Sequence, residues 1–196
     1  MINQYYLKED MYNKEILKGG VGAELGVARG VNAINLLHMT KPTKMHLVDL
    51  WDENQSALGK AGQINDTHIL NKSHRQSISH YGEHVCDIFK EEISCGQIET
   101  HRTGIRRWLA KQEDNSLDWV YLDASHRYKE TSNEIRDCIR PLKNGGFLCG
   151  HDFAVNGVWG LGVVAPVIEA IQDGLLVLQA LSSDFCPSYV CRVIKS

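Results

Sequence analysis

Short apolar runs alternating with amphipathic stretches constrain this chain most. Strand, helix and strand in that order bury their apolar faces most readily as a parallel sheet between helical layers. A leading helix is expected over Lys8 to Leu17, then a first core strand over Val21 to Leu25 and a helix over Val31 to His38. "MHLVDL", Met45 to Leu50, reads as the second core strand, and after a polar stretch a further helix runs toward Tyr81. "QIETHR", Gln97 to Arg102, alternates weakly as the third. "LDWVYLDA", Leu117 to Ala124, is apolar enough for a strand covered on both faces. The amphipathic "YKETSNEIRDCIRPLK" is expected to be helical and to stop at Asn144-Gly145-Gly146, with "GFLCGHDF" as the fifth strand. A helix over Val164 to Gln172, a strand within Gly174 to Leu181 and a last strand over Ser188 to Ile194 follow, the last two close enough in sequence to pair antiparallel. The expected fold is α/β, with a seven-stranded, mostly parallel sheet, helices on both faces and an antiparallel terminal strand.

At 196 residues the chain suits one core, so a single domain over 1–196 is expected, a leading helix at 1–18 preceding a core at 19–196. Lysine and arginine total 21 against 24 acids, and no basic run follows a phosphate backbone, so nucleic acid is not the expected partner. The longest apolar region, Gly160 to Leu181, is broken by Pro166, Glu169 and Asp173, which leaves no membrane span of about 20 apolar residues. The amino-terminal stretch is polar, without the apolar core of a signal sequence, and the expected location is the cytoplasm. Six cysteines without a C-x-x-C pair read as reduced thiols.

In open sheets of this kind ligands bind beyond the carboxyl ends of the strands, where strand order reverses. Asp49, Asp123 and Asp152 end the second, fourth and fifth core strands on this reading, and Gly26 and Gly30 shape the turn after the first. Aspartate also caps helices and starts turns, so any one of these acids alone is weak; together with the glycine turn they indicate a site. The turn departs from the dinucleotide fingerprint, because Ala28 stands at the second glycine position and Val31 at the third. A pyrophosphate is poorly served by that. Glu24, Gly26 and Gly30, with Asp49 placed to take both hydroxyls of a ribose, suit a nucleoside without one.

Those residues, with "LVDLW", "LDWVYLDASHRY" and "NGGFLCGHDF", resemble the class I S-adenosylmethionine-dependent methyltransferases from about Gly19 to Ile194. The D-x-x-H-x-Y of Asp123 to Tyr128 and the G-G-x-x-x-x-H-D of Gly145 to Asp152 are similar to the small-molecule O-methyltransferase branch, which includes enzymes that tailor sugars and antibiotics. The resemblance implies a Rossmann-like fold and S-adenosylmethionine as cofactor. It also implies that Gly26, Ala28 and Gly30 border the methionine portion, with Glu24 attracting its ammonium. Leu50 and Trp51 would flank the adenine, Thr103, Gly104 and Ile105 its edge, and Asp123 would border the cofactor as well. The implied partner is a small-molecule acceptor, and edge strands with a leading helix are compatible with a homodimer.

Methyl transfer needs an aligned and deprotonated acceptor. Two routes are open. Asp123 and Asp152, on neighbouring strands roughly 4.8 Å apart, could share a divalent cation, magnesium or manganese. Alternatively His126 or His151 removes the proton. His80 and His84 have the i, i+4 spacing of a zinc pair without a third ligand motif, so a solvated helix face is expected; His68, His74 and His101 add nothing by spacing. In "RTGIRRWL", Arg102 to Leu109, the arginines either steer an acidic substrate or line a wet helix face while Ile105, Trp108 and Leu109 turn inward. The stretch from Trp51 to Asp66 reads as a lid, and Asn156 to Val167, including Trp159, as the acceptor side. Two other classes share such a sheet. A nucleotide-dependent oxidoreductase is opposed by Ala28 and Val31, and a binding protein without chemistry by the retained acids and histidines.

Overall fold

The computed structural model describes residues 5–6, 18–51, 72–156 and 159–195, with the backbone alone at 5–6 and 72–79. The leading helix expected at Lys8 to Leu17 and the proposed lid beyond Trp51 lie outside these residues. The strands are β1 (Tyr5–Tyr6), β2 (Val21–Leu25), β3 (Lys44–Asp49), β4 (Ile98–Arg102), β5 (Leu117–Leu122), β6 (Leu142–Gly150), β7 (Leu176–Ser182) and β8 (Tyr189–Val193). The helices are α1 (Val31–Thr40), α2 (Lys72–Ile88), α3 (Lys90–Ser94), α4 (Ile105–Leu109), α5 (Tyr128–Ile139) and α6 (Leu161–Gln172).

Strand order is β1-β7-β8-β6-β5-β2-β3-β4. The seven expected strands all form, and a two-residue strand, β1, adds to the edge by pairing parallel with β7. Only β8 runs antiparallel, wedged between β6 and β7. Strand order reverses between β5 and β2, which sit side by side at the centre. Every residue of β5 is buried, as its unbroken apolar run requires. One face carries Leu36 of α1 and Val85 of α2 against Met45, Leu47, Trp119 and Tyr121. The other carries Trp108 of α4, Ile135 of α5 and Val167 of α6 against Ala23, Leu25, Val48 and Val120.

One expectation fails. Helix α5 ends at Ile139 and β6 begins at Leu142, well before the glycine pair. Pro141 ends the helix because it brings no N–H to continue the ladder. Asn144-Gly145-Gly146 instead forms a bulge inside β6, between the pairs Leu117↔Leu142 and Trp119↔Phe147.

The three central strand ends are tied together past the sheet itself. The Gly26 N–H donates to the Val48 carbonyl and the Asp123 N–H to the Leu25 carbonyl, each at 2.9 Å. Gly26 has φ 93°, and a Cβ there would stand 1.9 Å from the Asp123 carbonyl oxygen. Gly26→Ala is therefore expected to cost about 3 kcal/mol through positive φ and backbone overlap. Urea unfolding checks this; an unchanged midpoint would contradict the close approach of these two strand ends.

Candidate active site

Beyond the carboxyl ends of β2, β3, β5 and β6 lies a crevice of about 830 Å³, within the range of small-molecule pockets. Glu24, Gly26, Ala28, Asp49, Leu50, Gly104, Ile105, Asp123, His126, His151 and Asp152 all border it. Residues from four strand ends and more than 120 positions apart in sequence thus meet in one place. Gly30, Trp51 and Thr103 do not line it among the described residues. Gly30 caps α1 at φ 81° and faces Val85 and Phe89. Thr103 continues the ladder, its N–H donating to the Asp49 carbonyl. Trp51 is 2% exposed; its turn at φ 42° tucks the ring under the glycine loop, where Nε1 donates to the Ala28 carbonyl at 2.9 Å. The adenine-flanking place implied for Trp51 is not where its ring lies.

Asp49 braces the turn directly. Its Oδ2 accepts the N–H groups of Val27 and Ala28 at 2.9 Å, and its Oδ1 accepts the Trp51 N–H at 3.0 Å. A carboxylate offers about four acceptor positions, so this bracing leaves capacity for a ligand hydroxyl. Glu24 is buried in the wall and accepts a hydrogen bond from Asn32 Nδ2 at 2.9 Å, from the first turn of α1.

Across the crevice, His126 Nε2 lies 2.8 Å from Asp123 Oδ1 and 3.0 Å from Asp152 Oδ2. One N–H is shared between two carboxylates. Burial pulls the His126 pKa down, but the bonds to Asp123 and Asp152 outweigh it and push the value up to about 9. Both neighbouring carboxylates therefore favour the protonated form of His126. Burial would raise the Asp152 carboxyl, but His126 and His151 hold it far below the ordinary carboxylate range. His151 Nδ1 stands 3.5 Å from Asp152 Oδ2. Trp159 stacks on the His126 ring, with centroids 5.0 Å apart and planes inclined by 16°. A Cβ on Gly162 would come 2.0 Å from the His126 carbonyl oxygen, so a glycine in the first turn of α6 permits this closure.

Asp123, His126 and Asp152 offer ligand atoms within 4.8 Å of one another. The set mixes oxygen with nitrogen, and the His126 N–H already occupies the space between the carboxylates. Magnesium and manganese favour oxygen donors, so these residues fit the expected shared cation poorly. Three of the six described non-glycine residues with positive φ, Ala28, His126 and Asp152, border this crevice. Such clustering of strained backbone is typical of functional sites.

A family model described as a methyltransferase domain matches residues 23–153, more than half of the chain. The chain belongs to this methyltransferase family. No curated protein matches it. Among solved structures, the methyltransferase resembles an S-adenosylmethionine-dependent methyltransferase from Aquifex aeolicus at TM-score 0.62 and 12% identity, covering 96% of this chain and 90% of that one. It also resembles the precorrin-6y C5,15-methyltransferase of Geobacter metallireducens at TM-score 0.59 and 13% identity, covering 96% and 87%. An rRNA methylase from Streptococcus thermophilus aligns at TM-score 0.56 and 9% identity, covering 95% and 94%. Likeness at such identities concerns the fold. Among the described residues, no helix is long and apolar enough to cross a membrane.

The methyltransferase crevice is also bordered by residues that no sequence motif marks. Tyr81 and Glu134 border the crevice. Arg29 donates to the Tyr81 hydroxyl at 2.7 Å and its guanidinium lies over that ring. Glu134 is 8% exposed, and its Oε2 has no hydrogen-bond partner among the described residues. Its place was legible, since Thr131, Glu134, Ile135 and Cys138 form one helical stripe. Arg106 and Arg107 reach the crevice rim, with Arg106 paired to Asp137, while Trp108 and Leu109 turn inward as expected.

Burial pushes the Glu134 carboxyl up to about 7. A raised carboxyl pKa means stability present below the unfolded value and lost as pH rises through the folded one. Glu134 is therefore expected to cost the wild type up to roughly 3 kcal/mol between pH 4.5 and 8, a loss absent from Glu134→Gln. Urea unfolding of both proteins across that window checks the difference, and parallel stability curves would contradict it.

Proposed function

We propose that this methyltransferase uses S-adenosylmethionine to methylate a hydroxyl oxygen on a small molecule. The observation that supports it best is one crevice bordered on one side by the Gly26–Ala28 turn, Glu24 and Asp49, and on the other by a cluster of two aspartates and two histidines. The first side suits an amino-acid moiety and a ribose. Glu24 attracts the ammonium, Asp49 takes ribose hydroxyls while bracing the turn, Leu50 covers the base, and Gly104 and Ile105 border its edge. The turn of Gly26 and Ala28 admits ligand close to backbone.

S-adenosylmethionine supplies a methyl group made electrophilic by its sulfonium. The protein contributes alignment and a place for the acceptor's proton. His151 takes the proton of the acceptor hydroxyl as the oxygen forms its bond to the methyl carbon, and the electron pair of the breaking carbon–sulfur bond stays on sulfur. Asp152 orients the His151 ring and stabilises it once charged. His126, bonded to both Asp123 and Asp152, keeps these carboxylates from repelling each other and holds the acceptor wall in place. Trp159, stacked on His126, flanks the acceptor. No step needs a cation between Asp123 and Asp152.

Calorimetry with S-adenosylmethionine, S-adenosylhomocysteine and NAD is expected to show binding of both sulfur compounds and none of NAD. Asp49→Ala should weaken S-adenosylhomocysteine roughly tenfold to a hundredfold. With a hydroxylated acceptor found by screening, His151→Ala should lower turnover by about 100- to 10,000-fold with cofactor affinity kept, and added magnesium or manganese should not change the rate. Failure of both sulfur compounds to bind would sink the reading. Methylation of ribosomal RNA instead of small hydroxylated compounds would replace its acceptor.

A further inference from the structure

We propose a zinc site built by His46, Glu99 and His101 at the β3–β4 edge of the sheet, outside the crevice. Sequence spacing hides it, because His46 and His101 are 55 positions apart. The parallel register brings them together: His46 is the Cα partner of Glu99, and His101 stands two residues further along β4 on the same face. His46 Nδ1 and His101 Nε2 are 3.0 Å apart, and Glu99 carboxylate oxygens lie 3.7 Å and 3.8 Å from them. Zinc bound to nitrogen at about 2.0–2.1 Å in a tetrahedron holds its ligands roughly 3.3 Å apart. These three separations bracket that figure, so small side-chain movements suffice. Two imidazoles and one carboxylate form a three-ligand zinc set, with the fourth position open to water.

The surroundings suit a cation at this place. Trp108 packs on both rings, with centroids 5.3 Å from His46 and 5.6 Å from His101, and so limits their rotation. The side chains of His46, His101 and Glu99 are 12%, 20% and 49% exposed, which leaves an entry path from solvent. One group competes: Lys44 Nζ lies 2.8 Å from Glu99 Oε2. Zinc entry displaces that ammonium, as the zinc takes over neutralisation of Glu99. A bound ion would staple the edge strand β4 to β3 immediately ahead of Gly104 and Ile105, which border the crevice.

Lys44 separates a metal site from a simple hydrogen-bonded histidine pair. Protein freed of metal by chelator and dialysis is titrated with zinc chloride by calorimetry and with cobalt chloride by visible absorption. One zinc per chain is expected in the wild type and in Asp152→Asn, which leaves this cluster intact. His101→Gln and Glu99→Gln should each weaken zinc at least tenfold, with circular dichroism verifying the fold. Lys44→Ala, an exposed change, should tighten zinc several-fold and give the cobalt adduct the intense visible bands of a tetrahedral site. Zinc affinity unaltered in Lys44→Ala and in Glu99→Gln, or stoichiometry lost in Asp152→Asn but kept in His101→Gln, would overturn the assignment.

Discussion

The backbone contact between Gly26 and the carbonyl of Asp123 sets the geometry on which the site depends. A Cβ at Gly26 would stand 1.9 Å from that oxygen, so the end of β2 lies against the end of β5 only because the side chain is missing. The contact falls where strand order reverses, and neighbouring connections leave the sheet in opposite directions there. The crevice is the space they vacate. Asp49 reinforces the same geometry from β3 by accepting two N–H groups of the turn that follows Gly26. The Asp123 wall of the crevice and the glycine turn are consequently coupled through backbone rather than through mobile side chains.

Charge balance governs the opposite wall of the crevice. Asp123 and Asp152 would repel each other across a partly buried gap, and the His126 imidazolium between them removes that penalty. His151, whose Nδ1 lies 3.5 Å from Asp152 Oδ2, borders the crevice beside this pair. Trp159 stacks on the His126 ring, and Gly162 lies close against the His126 backbone carbonyl. Positive φ at both His126 and Asp152 shows that the surrounding packing imposes this arrangement on the backbone.

Strand positions were legible in the sequence because apolar runs such as "LDWVYLDA" admit few alternatives, and the acids ending them followed from the same pattern. The bulge at Asn144-Gly145-Gly146 was not, since a glycine pair after a helix reads as a stop until the partner strand is known. Trp51 differs from its expected place for a similar reason: an aromatic residue beside a strand-end acid suggests stacking on a ligand, but a positive-φ turn and a hydrogen bond to Ala28 send it into the core. The protonation of His126 depends on two carboxylates from different strands, a three-body relation that spacing does not encode. The His46–Glu99–His101 cluster is likewise a product of strand register. Glu134, by contrast, lay on a stripe of buried positions already present in the sequence of α5.

The central claim is that the Gly26 turn and the Asp123 end of β5 frame one bound nucleoside whose sulfur faces His151. A crystal structure with S-adenosylhomocysteine tests it most directly. The account predicts the amino-acid portion beside Glu24 and Gly26, ribose hydroxyls on Asp49, and the sulfur turned toward the space between Asp123 and His151. A ligand seated elsewhere, or one whose sulfur points away from that space, would contradict it.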